Sequence, residues 1–157
     1  MYQPQRAFME LAIREAQSVR AEGDYAIGAV IVRGDEIIAS AGNRACIDND
    51  STQHAEIVAI QLASKNLQSR HLRDCVLYTT HEPCPMCASA AVWAKLEGIV
   101  FATTLLDMAD YAKHHGNEKY SWRTINISAK DVLVKAEPQL WIVEGFMRKE
   151  CMELFHP

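Results

Sequence analysis

Two short stretches of the sequence carry side chains that can hold and use a metal ion. His54 is followed two residues later by Glu56, and Cys84 and Cys87 stand in a Pro-Cys-Pro-Met-Cys run. One imidazole and two thiolates suit zinc, and three protein ligands leave a fourth position for water, as in catalytic rather than structural sites. We therefore predict one Zn²⁺ ion per chain, held by His54, Cys84 and Cys87.

The spacing of these residues predicts where they lie in secondary structure. Cys84 and Cys87 are i and i+3, so both sulfurs lie on one face at the start of a helix. A helix N-terminus favours negative charge and lowers the pKa of a thiol, which supplies the thiolates that zinc needs. His54 and Glu56 reach one cavity only from the first turn of a helix. We expect two helix starts to face each other across the metal.

Two other interpretations of the cysteine pair are open. A redox pair is expected in a thioredoxin-like context, whereas this pair follows the middle of the chain. A structural zinc site needs a fourth protein ligand, and the conceivable donors are His71, His81, His114 and His115. Glu56 favours the catalytic interpretation, because a closed site has no use for that carboxylate.

From about Ala29 to Ala102 the chain resembles the cytidine deaminase-like superfamily, in its branch of guanine deaminases and tRNA adenosine deaminases. H-x-E followed by P-C-x-x-C is the pattern of zinc nucleobase deaminases. The matching stretches are residues 28–32, 42–43, 54–56, 77–80, 82–88 and 100–102. The resemblance implies hydrolytic deamination in which Glu56 carries protons. It also implies a homodimer, for which Ala90, Ala91, Val92 and Trp93 supply an apolar surface.

The chain departs from its relatives in three ways. Nucleoside-type cytidine deaminases usually follow the first Cys with Gly and the second with Arg-Gln, where this chain has Pro85 and Ala88. The tRNA enzymes usually carry a Gly-Ala-Arg-Asp-like run where residues 102–107 read Ala-Thr-Thr-Leu-Leu-Asp. Those enzymes often end in a basic tail, whereas this chain stops at Pro157. The Pro-Cys-Pro-Met-Cys form and Trp93 are more similar to guanine deaminase.

Four residues are expected to contact the substrate in the first two thirds of the chain. The resemblance implies that Asn43 hydrogen-bonds the ring carbonyl or an adjacent nitrogen, and that Ala55 offers backbone groups to the base. Ile27 is expected to pack on one face of the base. Trp93 is expected to border the pocket, with the core or a dimer interface as the alternative.

Residues 103–128 form a polar and aromatic segment that follows a predicted strand. Ligands of open α/β sheets bind outside the carboxyl ends of the strands, so this segment is a candidate substrate wall or lid. Asp110 and His115 are its candidates for contacting the far side of the ring. A surface excursion without chemistry is the alternative.

Composition indicates one soluble globular domain over residues 1–157, with 49% hydrophobic and 23% charged residues. No apolar run reaches the ~18 residues of a membrane span, and the N-terminus lacks the plan of a signal peptide. Cys46, Cys75 and Cys151 are expected to be reduced, which suits a cytoplasmic protein. The chain has 16 basic and 20 acidic residues, and this balance argues against a nucleic acid substrate.

Periodicity and turn residues predict a three-layer α/β/α sandwich around a mixed five-stranded sheet. The strand at 75–80 is apolar on both faces and is expected to be central. The strand–helix–strand order that follows predicts a parallel crossover, and Thr52 is the expected cap of the second helix. The predicted strands are 26–32, 36–41, 75–80, 98–102 and 139–143. The predicted helices are 5–22, 54–67, 85–96, 129–137 and 144–155.

The sequence therefore predicts a zinc-dependent hydrolase that releases ammonia from a free nucleobase. Guanine and isocytosine share a 2-amino-4-oxo edge and rank above cytosine-like bases. The alternative substrate is the adenosine of a tRNA, edited to inosine. A catalytically silent zinc module is disfavoured, because Glu56 and all three ligands are present.

Overall fold

A mixed β-sheet separates two helical layers in the computed structural model, which describes residues 1–155. The strands are β1 (Gly28–Arg33), β2 (Glu36–Gly42), β3 (Cys75–His81), β4 (Gly98–Thr103) and β5 (Trp141–Val143). The helices are α1 (Arg6–Ala21), α2 (Ala55–Asn66), α3 (Pro85–Trp93), α4 (Leu105–His115), α5 (Ala129–Leu133) and α6 (Arg148–Met152). Within the described residues, no helix has both the length and the apolarity to cross a membrane.

The strand order of the sheet is β2-β1-β3-β4-β5. β1 pairs antiparallel with β2 and β3, while β3, β4 and β5 run parallel to one another. Every residue of β3 is buried, because helices cover both faces of the sheet at its centre. The five-stranded mixed sheet, the central position of β3 and the parallel crossover through α3 are thus confirmed.

Alternate residues of the strands pack into two separate hydrophobic cores. Leu77 of β3 faces the core covered by α2, α3 and α5, whereas Tyr78 faces the core covered by α1, α4 and α6. This alternation is the ordinary consequence of the two-residue repeat of a strand. The three-layer arrangement predicted from the sequence is therefore present.

The largest difference from the sequence prediction lies in residues 103–128, where the structure contains helix α4. Thr104 caps this helix, since its hydroxyl accepts from the Asp107 backbone N–H while the Asp107 carboxylate accepts from the Thr104 backbone N–H at 2.8 Å. Such a capping box is a sequence-level signal of a helix start. The sequence prediction did not recognise this helix start, because the segment is rich in polar and aromatic residues.

Several helix boundaries also differ from the predicted ones. Thr52 does not cap α2; its hydroxyl donates to Asp50 at 2.6 Å instead, and His54 occupies the N-cap position. α3 ends at Trp93, because Lys95 adopts a positive φ of 59° that no helix continues. α6 begins only after Met147, which has a φ of 56°.

Candidate active site

The two predicted helix starts meet at one point, each presenting its N-cap residue. His54 is the N-cap of α2 and Cys84 is the N-cap of α3. The His54 Nδ1 lies 3.5 Å from the Cys84 Sγ and 3.6 Å from the Cys87 Sγ, and the two sulfurs are 3.6 Å apart. The three predicted zinc ligands are therefore brought together by the first turns of two helices.

The spacing of the three ligand atoms fits a tetrahedral zinc ion. Bond lengths of ~2.3 Å to sulfur and ~2.0 Å to nitrogen place tetrahedral ligand atoms roughly 3.5–3.8 Å apart, close to the distances found here. Across residues 1–155 this is the one cluster of three or more metal-ligating side chains. It includes none of the four other histidines considered as a fourth ligand, and the three-ligand set therefore leaves a position for water or substrate.

The charges of the two cysteines differ because their sulfurs are so close. Hydrogen bonds from Cys87 and His54 lower the pKa of Cys84 to about 4, so Cys84 is a thiolate at neutral pH. The neighbouring Cys84 sulfur, together with burial, raises the pKa of Cys87 well above its usual value. Two thiolates this close require a cation beside them, and zinc would supply it.

Glu56 lies in the first turn of α2, directly beside the ligand cluster. Its side chain is buried, and its Oε1 accepts a hydrogen bond from the Thr79 hydroxyl at 3.2 Å. Its Oε2 lies 3.5 Å from the Cys87 Sγ. Burial raises the pKa of Glu56 above its ordinary value, which brings the carboxyl closer to the range in which it can both take and give a proton at neutral pH.

A cavity of about 420 Å³ opens onto His54 and Cys84. This volume lies within the usual range for small-molecule sites. Most of its wall surface is apolar, although about half of the lining side chains are polar. The other lining residues are Tyr25, Ile27, Asn43, Ala45, Ser51, Met86, Ser121, Trp122, Arg123, Thr124 and Ile125.

The part of the chain that contains the metal-ligand cluster matches a known family. The model of the cytidine and deoxycytidylate deaminase zinc-binding region matches residues 2–103, a range that includes both helix starts and all three zinc ligands. This chain belongs to that deaminase family.

Curated relatives in the deaminase family act on different substrates. A tRNA-specific adenosine deaminase of Aquifex aeolicus is 40% identical over 95 residues, which are 60% of this chain and 63% of the relative. A guanine deaminase of Bacillus subtilis is 41% identical over 106 residues, covering 64% and 68% of the two chains. A probable cytosine deaminase of Schizosaccharomyces pombe is 33% identical over 147 residues, covering 93% and 86%. The match to the Aquifex enzyme thus spans less than two thirds of its length.

A solved structure has the same fold over nearly the whole chain. It comes from studies of A-to-I editing by tRNA:A34 deaminases at the wobble position of transfer RNA, with a TM-score of 0.77 and 29% identity. The alignment covers 96% of this chain and all of that chain. The cytidine deaminase-like fold expected from the sequence is confirmed.

Of the residues expected to contact substrate, two line the cavity and a third lies beside a zinc ligand. Asn43 and Ile27 line it, and Ala55 is the buried first residue of α2, next to the ligand His54. Ala55 belongs to the first helical turn, where backbone N–H groups have no partner within the helix. The structure therefore leaves all three in positions consistent with their expected roles.

Three other residues expected at the pocket lie away from it. Trp93 is 80% exposed and ends α3; a nine-residue helix whose start holds zinc places its last residue about 12 Å away. Asp110 and His115 lie on the exposed face of α4 and line no part of the cavity. The wall comes instead from residues 121–125, further along the same segment.

Sequence reasoning missed Asp24, which organises one side of the cavity. Its carboxylate is fully buried and accepts from the Asn43 Nδ2 at 2.7 Å and from the Cys46 and Ile47 backbone N–H groups at 2.8 and 2.9 Å. Asn43 is thereby fixed in orientation at the cavity wall. Aspartate before a strand is ordinary in sequence, and no local pattern indicates these partners.

We predict that purified protein contains about one zinc ion per chain and that His54→Ala abolishes this binding. His71→Ala, which changes a histidine outside the cluster, is the matched control and should retain the metal. Because structural zinc contributes ~10–16 kcal/mol in small domains, chelation should also lower the melting temperature of the wild type. Metal analysis by mass spectrometry and thermal unfolding measure both effects. Equal zinc content in the two variants would contradict the assignment.

Proposed function

We propose that this protein is a zinc-dependent hydrolase that removes the amino group of a free amino-oxo nucleobase and releases ammonia. Guanine and isocytosine are the preferred bases, and cytosine-like bases rank below them. The observation that carries the proposal is the buried Glu56 carboxylate 3.5 Å from the Cys87 Sγ, next to a cavity that is lined by His54 and Cys84 and is sized for a small heteroaromatic molecule.

The zinc ligands and Glu56 have different roles in the proposed reaction. Zinc held by His54, Cys84 and Cys87 would act as a Lewis acid that lowers the pKa of water towards 7. Glu56 accepts a proton from the attacking water, passes it to the ring nitrogen, and then transfers a proton to the departing amine. Each transfer returns the carboxyl group to its other protonation state, so one residue serves all steps. In the overall reaction, the amino base and water give the oxo base and ammonia.

Residues that line the cavity can orient a flat ring. One N–H of the Asn43 amide donates to Asp24, and the second N–H of that amide remains for a ring carbonyl or an adjacent ring nitrogen. Ile27 and Trp122 provide apolar and aromatic wall surface. These contacts hold a base in the plane that brings its amino-bearing carbon to the metal site.

The charge at the rim of the cavity favours a small uncharged substrate over a polyanion. The loop of residues 44–53 contributes Ala45 and Ser51 to the lining and carries Asp48 and Asp50 on its surface. Hydrogen bonding from Arg44 lowers the pKa of Asp48, and hydrogen bonding from Thr52 lowers that of Asp50, so both are charged at neutral pH. Asp48 is ion-paired with Arg44, whereas Asp50, next to the lining residue Ser51, has no basic partner within ion-pair distance among residues 1–155. The negative charge of Asp50 opposes the approach of a phosphate backbone, whose contacts dominate nucleic acid affinity.

Adenosine in tRNA is the second candidate substrate. It is supported by the Aquifex relative at 40% identity and by the solved tRNA:A34 deaminase structure that covers 96% of this chain. The two candidates share the metal chemistry and differ in what the cavity and its rim must accept.

Glu56→Gln should retain zinc and fold but lose ammonia release by at least about 10³-fold, because proton transfers contribute ~10²–10⁴ and several pass through this residue. Glu10→Gln, on the exposed face of α1, is the matched control. Steady-state ammonia release is the measurement, with metal content and circular dichroism checking integrity. A loss below tenfold would assign the proton transfers to another group.

Free guanine or isocytosine should be turned over at a rate that changes little between 50 and 200 mM salt, because an uncharged base releases no counterions. An ammonia-release screen of guanine, isocytosine, cytosine, adenine, cytidine and a tRNA anticodon stem-loop tests this. Deamination of the stem-loop alone, falling steeply with salt, would establish the second candidate instead.

We further infer a homodimer formed through the end of α3 and the neighbouring α5. Trp93 and Val134 are 80% and 61% exposed there, and a hollow of about 310 Å³ beside Trp93 is lined by Val92 and Val132. Exposed apolar surface of this kind marks interaction sites.

Light scattering at micromolar concentration should therefore show a dimer that Trp93→Glu converts to a monomer. Leu106→Glu changes an equally exposed apolar residue on α4 and should leave the dimer intact. A monomeric wild type, or equal behaviour of the two variants, would exclude this interface.

A further inference from the structure

Arg123 is a buried cation in the wall of the cavity. Its side chain is only 9% exposed, although it lies in the connection between α4 and α5. Its Nη2 donates to the Ile127 carbonyl oxygen, while its Nε is buried without a hydrogen-bond partner. Among residues 1–155 no carboxylate lies within ion-pair distance of it, in contrast to Arg44, which is paired with Asp48.

A guanidinium in this state lacks acceptors that the protein normally supplies. It offers five N–H groups in a rigid planar fork, and one of them has a partner in the described structure. Burial of a charge is costly unless it is paired or hydrogen-bonded. Because Arg123 lines the same cavity as the zinc ligands His54 and Cys84, a bound substrate is in position to supply the missing acceptors.

The surroundings of Arg123 favour a planar pair of acceptors over a phosphate group. Of the residues that line the cavity in the described part of the chain, Arg123 is the one lysine or arginine, whereas phosphate sites ordinarily combine several donors or a helix N-terminus. The neighbouring walls are formed by Trp122 and Ile125, which suit a flat ring. The charged Asp50, next to the lining residue Ser51, also opposes an anion.

Purine bases with a 6-oxo group carry such a pair of acceptors. O6 and N7 of guanine lie side by side and match the arginine fork, the commonest specific contact between a protein and a base. The amino-bearing C2 lies on the other side of the six-membered ring, so a guanine held at O6 and N7 can direct C2 away from Arg123. Adenine presents an N6 amino donor at this edge, and isocytosine has no N7.

We propose that Arg123 is the specificity-determining residue of the cavity and that it selects 6-oxopurines by pairing with O6 and N7, which makes guanine the preferred substrate. This assignment rests on the proposed deamination of a free base. It also replaces Asp110 and His115 with Arg123 as the group that contacts the far side of the ring.

The test compares guanine with 7-deazaguanine, in which N7 is replaced by a C–H group, and with isocytosine. A bidentate arginine contact is worth ~1–3 kcal/mol, so the wild type should prefer guanine to 7-deazaguanine by about 5- to 150-fold in kcat/KM. Arg123→Met should reduce kcat/KM for guanine by a similar factor and bring the two purines within about threefold. Isocytosine should be affected less. Arg73→Met, an exposed arginine outside the cavity, is the control and should change none of these ratios.

Arg123→Lys keeps the charge and loses the planar fork, so it serves as a second variant if Arg123→Met does not fold. Quenching of tryptophan fluorescence by guanine and 7-deazaguanine in the Glu56→Gln background gives the same comparison without turnover. Equal losses on the two purines, with zinc and fold retained, would show that Arg123 is structural only. A preference for guanosine monophosphate that disappears in Arg123→Met would overturn the base-edge contact in favour of a phosphate.

The results that would refute the proposed function differ from those that would refute only the role of Arg123. A wild type that neither releases ammonia from nor binds any of the three free bases would refute deamination of a free base, and with it the pairing with O6 and N7. A wild type that deaminates guanine and 7-deazaguanine equally well would refute the role of Arg123 alone.

Discussion

Two cysteine sulfurs 3.6 Å apart, with a buried carboxylate 3.5 Å from one of them, form a cluster that is stable in its reactive charge state only around a cation. The fold is built to hold that cluster. β3 is buried on both faces at the centre of the sheet, so the chain leaving it enters α3 from a fixed position. Cys84 and Cys87 then occupy the first turn, where the helix dipole favours their negative charge. α2 brings His54 and Glu56 from the facing side.

Glu82, which lies between β3 and the zinc ligand Cys84, also holds the cavity wall in place. The Glu82 carboxylate is buried and accepts from the backbone N–H groups of Leu105 and Ala129, the first residues of α4 and α5. The segment between these two helices carries Trp122 and Arg123. Both ends of that segment are therefore tied to a residue two positions before the zinc ligand Cys84, and the wall and the metal site share one anchor.

The parts of this structure that could be predicted from sequence depend on short-range geometry. The i, i+3 spacing of Cys84 and Cys87 depends on the geometry of one helix turn. The apolar pattern of β3 depends on the helices packed against that strand. Trp93, expected to border the pocket or a dimer interface, lies exposed at the end of α3, and the position of that end depends on the backbone at Lys95. Arg123 was overlooked for a related reason: a cation in a polar segment ordinarily indicates exposure, and no local pattern in the sequence indicates that its side chain is buried.

The wall of residues 121–125 lies outside the part of the chain that the family model matches. The family match ends at residue 103, and it includes every zinc ligand as well as Asn43 and Ile27. The Aquifex tRNA enzyme and the Bacillus guanine deaminase are 40% and 41% identical to this chain, so overall identity does not distinguish their substrates. The wall of residues 121–125 lies beyond the match and faces the same cavity. On the proposed function, the choice of base falls to groups outside the zinc cluster such as Arg123, which offers a planar pair of donors rather than the several donors of a phosphate-binding surface.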